Sequence, residues 1–122
     1  MSEVVFQTCP LYINTFSAHA ANNPVIAEKV KEFRRVKAEN PLQNFGAKDY
    51  PMGSAGPIGI AVPKIRHAHL TSDISIFYTL NGRDPTIIRL YGLFTHAESG
   101  TGQPANIKKQ KSLGQQLSNQ SF

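Results

Sequence analysis

Three apolar runs rich in β-branched residues follow one another in the second half of the chain, over 65–70, 74–80 and 86–95. Thr71-Ser72-Asp73 divides the first two, and Asn81-Gly82-Arg83-Asp84-Pro85 divides the second pair. Parallel neighbours need a crossover of about a dozen residues or more, so separators this short dictate antiparallel pairing and a three-stranded meander. Asn81-Gly82 opens a turn, but its segment is too long for the simplest hairpin and predicts a small protruding loop.

The first half supplies helices. Asn22-Asn23-Pro24 is a helix-start signal, because Asn23 can cap free amides and Pro24 sits where a missing amide costs nothing. Val25, Ile26, Val30, Phe33 and Val36 then recur at helical spacing, with Glu28, Lys31, Glu32, Arg35 and Glu39 opposite. Residues 24–39 therefore read as an amphipathic helix with one buried stripe, ended by Asn40-Pro41. Residues 11–22 predict a further helical turn or two, and residues 3–7 a short strand that Pro10 stops.

Residues 40–63 contain Pro41, Gly46, Pro51, Gly53, Gly56, Pro57, Gly59 and Pro63, which makes them irregular and long for a plain connection. A segment of that kind is usually a functional loop or a disordered one. Leu42, Phe45, Tyr50, Met52, Ile58, Ile60 and Val62 predict that much of it packs down. After the turn over 99–104, residues 105–118 predict a helix with Ile107, Leu113 and Leu117 inward. The order strand, one or two helices, loop, three strands, helix is that of an α+β fold, a small antiparallel sheet with one to three helices on one face. No compositional break divides the 122 residues, so a single domain over 1–122 is expected.

Thirteen Lys and Arg against eight Asp and Glu leave a net charge of +5. Residues 61–122 hold seven basic and three acidic residues, and Lys108, Lys109 and Lys111 share the end of the chain with no acid. That asymmetry suits an anionic partner, whether RNA, DNA, membrane phosphate or an acidic protein; a solvated face would carry the same pattern. The apolar residues are broken at short intervals by Gly, Pro or charge, which predicts neither a membrane span nor a secretory signal, and hence a cytoplasmic protein. The lone Cys9 cannot form an intramolecular disulfide or a thiolate metal cluster.

Three of the four histidines, His67, His69 and His96, fall in or just after the strand region. Residues two apart on a strand share a face, so His67 and His69 point together and Arg66 points away with Leu70. Three histidines invite zinc, but their spacing matches no compact zinc signature, and no metal or other cofactor is expected. Taken singly, each is an ordinary hydrogen-bonded or surface histidine. Taken with nearby cations they suit metal-independent RNA cleavage, in which a base removes the 2′ proton, a cation steadies the phosphate and an acid protonates the departing 5′ oxygen. The candidate catalytic set is His67, His69, Arg89, His96 and Glu98, with His96 expected to outrank His19. The candidate nucleic-acid contacts are Arg66, Tyr78, Tyr91, Lys108, Lys109 and Lys111. Gly100-Thr101-Gly102 offers either a small anion nest or a plain turn. A nucleophile elbow is absent.

The helical part beginning at Val25, followed by 65–70, Ile74-Ser75-Ile76-Phe77-Tyr78-Thr79-Leu80 and the run over 86–94, resembles the RelE/ParE superfamily of bacterial toxins. The likeness is one of pattern, covering 60–98 well and the remainder loosely. Ile76-Phe77-Tyr78 stands where the family carries an Arg-Leu/Ile-Val/Phe-Tyr strand, with Ser75 in place of the usual arginine. His96 and Glu98 stand just past the third strand, where ribonuclease members place active-site residues. The resemblance implies an mRNA-cleaving toxin, acting on free or ribosome-bound message, and a cognate acidic antitoxin. The second reading it allows, as the alternative, is a gyrase-directed ParE-like toxin. Outside the family, a non-catalytic RNA- or protein-binding module fits the same composition.

Overall fold

Pro10 and Pro24 each occupy the first turn of a helix, after residues held extended at Cys9 and Asn23. The computed structural model describes residues 3–51, 65–81, 85–102 and 104–122. The order is β1 (Val4–Thr8), α1 (Pro10–Ala20), α2 (Pro24–Glu39), β2 (Asp49–Pro51), β3 (Arg66–His69), β4 (Ile74–Leu80), β5 (Thr86–Thr95), α3 (His96–Ser99) and α4 (Ile107–Ser118). The expected turn or two after residue 10 is a full helix. In α2, the Asn23 side chain accepts the Ile26 amide, and Ile26, Val30, Phe33 and Lys37 form the buried stripe. Val25, expected inward, is exposed, and the Lys37 stem completes the row instead.

The five strands form one sheet in the order β1-β5-β4-β3-β2. β3, β4 and β5 are the expected antiparallel meander, and β1 runs parallel to β5 after the α1–α2 crossover. The sheet is covered on both faces, which corrects the expectation of helices on one. Against α1 and α2 lie Ala68, Ile76, Tyr78, Ile88, Leu90 and Leu93. On the other face Ile65, Phe77, Tyr91 and Phe94 pack with Leu113 and Leu117 of α4. The cause is visible in β4, where Ser75, Ile76, Phe77 and Tyr78 are all buried rather than alternating. In β5, Gly92 pairs with Phe77 and Leu90 with Tyr78, so Tyr91 bulges out of register. That extra residue allows Tyr91 and Phe94, three apart, to reach the same face.

The connection over 40–63 hides the short edge strand β2, which pairs antiparallel with β3. Phe45 packs down as expected; Leu42 is 76% exposed and does not. Met52, Ile58, Ile60 and Val62 lie outside the described residues, as do 82–84 of the expected protruding loop. In α4, Leu113 and Leu117 are buried with Gln110 and Gly114, whereas Ile107 is 47% exposed and does not join the stripe. Among the described residues no helix is long and apolar enough to cross a membrane.

Candidate functional site

On the α4 face, the end of the sheet farthest from β1 carries three imidazoles in a row. His67 and His69 share β3, with ring centroids 5.7 Å apart, and His96 at the start of α3 brings its ring to 5.3 Å from that of His69. β2 closes the edge: Tyr50 pairs with His67, and the Lys48 carbonyl accepts the His69 amide at 2.9 Å. The Asp73 side chain, in the β3–β4 turn, accepts the His96 amide at 3.1 Å and stands 3.9 Å from His96 Nδ1.

The three rings are not equivalent. His67 is 3% exposed, stacked on Phe77 at 5.3 Å and 16°. Burial, aided by the neighbouring His69, pushes its pKa down to about 4. Its ring is enclosed by Phe77 and Tyr50, so of the three imidazoles it is the least open to a substrate. His69 is half-buried, and burial, then His96, then Lys48 hold its pKa below the ordinary histidine value. His96 is partly exposed. Among the described residues, the buried His67 Nδ1 and Ser75 Oγ have no hydrogen-bond partner. Unpaired buried polar atoms cost about 1–3 kcal/mol each; one lies on β3 within the row and the other on β4, opposite His69.

α3 is a rigid mount for His96. Thr95 Oγ1 accepts the Glu98 amide while Glu98 Oε1 accepts the Thr95 amide, a closed capping box. Gly100 ends the helix at φ 78°, and a Cβ there would collide with the Asn106 carbonyl. Gly102 passes so close that a Cβ would stand 2.7 Å from His96 Cβ. Lys109 donates to the Ala97 carbonyl at 2.7 Å, tying α4 to the same turn.

The remaining sequence-stated candidates are dispersed. Glu98 is spent on the cap and on His19 Nε2 at 2.9 Å, so it holds α3 rather than joining the imidazole row. Arg89 pairs with Thr79 and donates to Gln7 at 3.0 Å, with its guanidinium 5.3 Å from the Phe122 ring, away from the histidines. Tyr78, expected to stack on a base, is 0% exposed and donates to Asp49 at 2.5 Å. Tyr91 is buried against Phe122. Arg66 points to the opposite face, as its parity required, and is engaged by Tyr78 and Asp49. Lys108 and Lys111 are exposed; only Lys109 reaches the site's mount.

No family model matches the sequence, and no curated protein matches it. Solved structures do. The chain is similar to one from the E. coli DinJ–YafQ complex, with TM-score 0.59 and 18% identity, over 78% of this chain and 96% of that one. A YoeB/ParE toxin from Agrobacterium tumefaciens gives TM-score 0.55 and 14% identity, over 77% of this chain and 98% of that one. A metal-bound toxin from Helicobacter pylori gives TM-score 0.56 and 20% identity, over 80% and 98%. The fold is that of the RelE/ParE-like toxins.

On this RelE/ParE-like fold the histidine row sits where the meander turns into α3. Among the described residues, no three His, Cys, Asp or Glu side chains gather as a set for a metal. Sequence reasoning missed four contributors: Lys48, Tyr50, Asp73 and, as a partner of Glu98, His19. Asp73 was legible only as a turn residue, and Tyr50 only as part of an irregular loop. The His19–Glu98 contact spans 79 positions and leaves no local trace.

Proposed function

We propose that the chain is the toxin of a toxin–antitoxin pair and cleaves RNA by attack of a 2′-hydroxyl, with no metal required. The observation that carries the reading is the His69–His96 pair, 5.3 Å apart, with Asp73 against His96 and Lys48 beside His69. His69, whose neutral form its surroundings favour, removes the 2′ proton. The 2′ oxygen then bonds to phosphorus, the bond to the 5′ oxygen breaks, and His96 delivers a proton to that oxygen. With His96 Nδ1 turned to Asp73, Nε2 is the nitrogen left for the substrate. Lys48, near enough to His69 to disfavour its protonation, adds positive charge to a site where the phosphoryl oxygens gain negative charge. A 2′,3′-cyclic phosphate and a 5′-hydroxyl are the products.

Pure protein incubated in excess chelator with RNA, free and ribosome-bound, is expected to leave cyclic phosphate ends. Replacing His69 or His96 by Gln should lower the single-turnover rate by about 10²–10⁴-fold. Absence of cleavage in both formats would overturn the reading. The dispersal of Arg89 and Glu98 and the burial of His67 favour one alternative, a gyrase-directed toxin, and a DNA supercoiling assay would then decide.

A toxin of this kind needs an acidic antitoxin. On the face opposite the histidines, a groove of about 350 Å³ between α1 and α2 is lined by Ile13, Phe16 and Val30 and flanked by Lys31 and Arg34. Apolar floor and cationic rim suit the apolar face of an acidic helix. A cytoplasmic site of action follows from an mRNA substrate.

A further inference from the structure

An aromatic ring on an edge strand is ordinarily folded into the core or scattered on the surface. Tyr50 is held between these states. Its register opposite His67 places it on the face of His67 and His69. The ring meets His67 edge-on, at 4.6 Å and 70°, and is tilted to His69 at 6.2 Å and 33°. It nevertheless remains 37% exposed, whereas Phe77, Tyr91 and Phe94 on the same face are buried.

Its mount is fixed from the other side of the sheet. The adjacent Asp49 is buried and accepts hydrogen bonds from Lys37 at 2.8 Å, from the Phe45 amide at 2.9 Å and from Tyr78 at 2.5 Å. Arg66 adds a bond to the Asp49 carbonyl at 2.8 Å. β2 therefore cannot drift from β3 without breaking a buried ionic network. A tyrosine has only two side-chain torsions to restrain, so a ring presented in this way binds at low entropic cost.

We propose that Tyr50 is the platform on which a substrate nucleobase stacks beside the reacting phosphate, and so a substrate-binding residue of this site. The proposal rests on the RNA-cleaving reading above. A base one ribose away from a phosphate held at His69 and His96 reaches the strand that flanks His69, and that strand is β2. Stacking accepts any base, because every base has a π-face. Tyr50 thus takes the role that sequence reasoning gave to Tyr78 and Tyr91.

The test uses 2′-O-methyl RNA hexamers, which cannot be cleaved, carrying one 2-aminopurine walked through each position, both free and on programmed ribosomes. Wild-type protein should quench the fluorophore at one position. Y50L should lose that quench and bind about 10- to 100-fold more weakly, whereas Y50F should keep both. In Y50L the loss should be larger in KM than in the cleavage rate at saturating substrate. An abasic nucleotide at the quenched position should weaken the wild type to the same degree, a measurement made on the wild type and so independent of how Y50L folds. Wild-type cleavage combined with unchanged binding by Y50L, or with no abasic effect, would overturn the proposal and leave the nuclease reading standing. Failure of the wild type to bind or cleave any RNA removes both.

Discussion

A histidine sealed against Phe77 and Tyr50 has a thermodynamic signature apart from any reaction. The His67 pKa is about 4 in the folded protein, set mainly by burial, against about 6.5 in an unfolded chain. Between those values the unfolded state binds more protons, so stability must rise with pH through this window. The contribution is fully present above about 6.5 and lost as pH falls towards 4, on the order of 3 kcal/mol. His69 adds to the same slope with the same sign, because its pKa is also lowered. Urea unfolding between pH 7 and 4 should therefore show H67F losing most of the wild-type pH dependence, since phenylalanine keeps the stack and removes the proton site. An unchanged slope in H67F would mean that His67 titrates as an open histidine. The pairing of His67 with His69 was legible in the sequence, since a period of two requires it. Their unequal burial was not, because it depends on Phe77, Tyr50 and α4 arriving from elsewhere in the chain.

β2 is three residues long and would not be recognised by propensity in a stretch so rich in Gly and Pro. What makes it a strand is a clamp: Lys37 of α2, also bonded to the Gln43 carbonyl at 2.6 Å, meets Asp49 at 2.8 Å with both side chains almost wholly buried. Burial raises the Asp49 pKa, but hydrogen bonds from Lys37, Tyr78 and Phe45 outweigh it and hold the carboxyl below its ordinary value. Breaking one side of such a pair leaves a buried charge uncompensated, so K37M should cost about 3–5 kcal/mol. The double variant K37M/D49L should recover part of this, because neither charge is then left buried. Denaturant midpoints of the two variants decide it, and a K37M midpoint equal to wild type would show that the pair does not hold β2. The larger elements were legible: α2 from its 3.6-residue spacing, the meander from its short separators. The second covered face was not, because a strand buried on both sides loses the alternation that reveals a face, and the Tyr91 bulge shifts parity within a single strand. The same clamp sets the rigidity of Tyr50, so its loss should also be felt at the histidine row.

The sheet separates two surfaces of different character. The α1–α2 side offers an apolar groove flanked by Lys31 and Arg34, while the α4 side carries the imidazoles and the lysine cluster. A partner seated in the groove would leave the imidazoles exposed unless it also wrapped the sheet edge. The three lysines near the end of the chain, equal in sequence, are unequal here. All three are exposed, but Lys109 is also bonded to the Ala97 carbonyl one residue after His96. Lys108 and Lys111 should act only through the field, since phosphate contacts away from the reacting centre position the strand without entering the reaction. K108Q/K111Q is therefore expected to weaken RNA binding and reduce the slope of log K against log salt by about 1–2, because fewer counterions are released, with the single-turnover rate unchanged. K109Q should do the reverse, with little change in the salt slope but a lower rate, because the turn carrying His96 loses its tie to α4. A salt titration of RNA affinity beside single-turnover cleavage separates the two. If all three lysines affected the slope alike and none the rate, the Lys109 bond would have no part in holding His96, and the cluster would act only as surface charge.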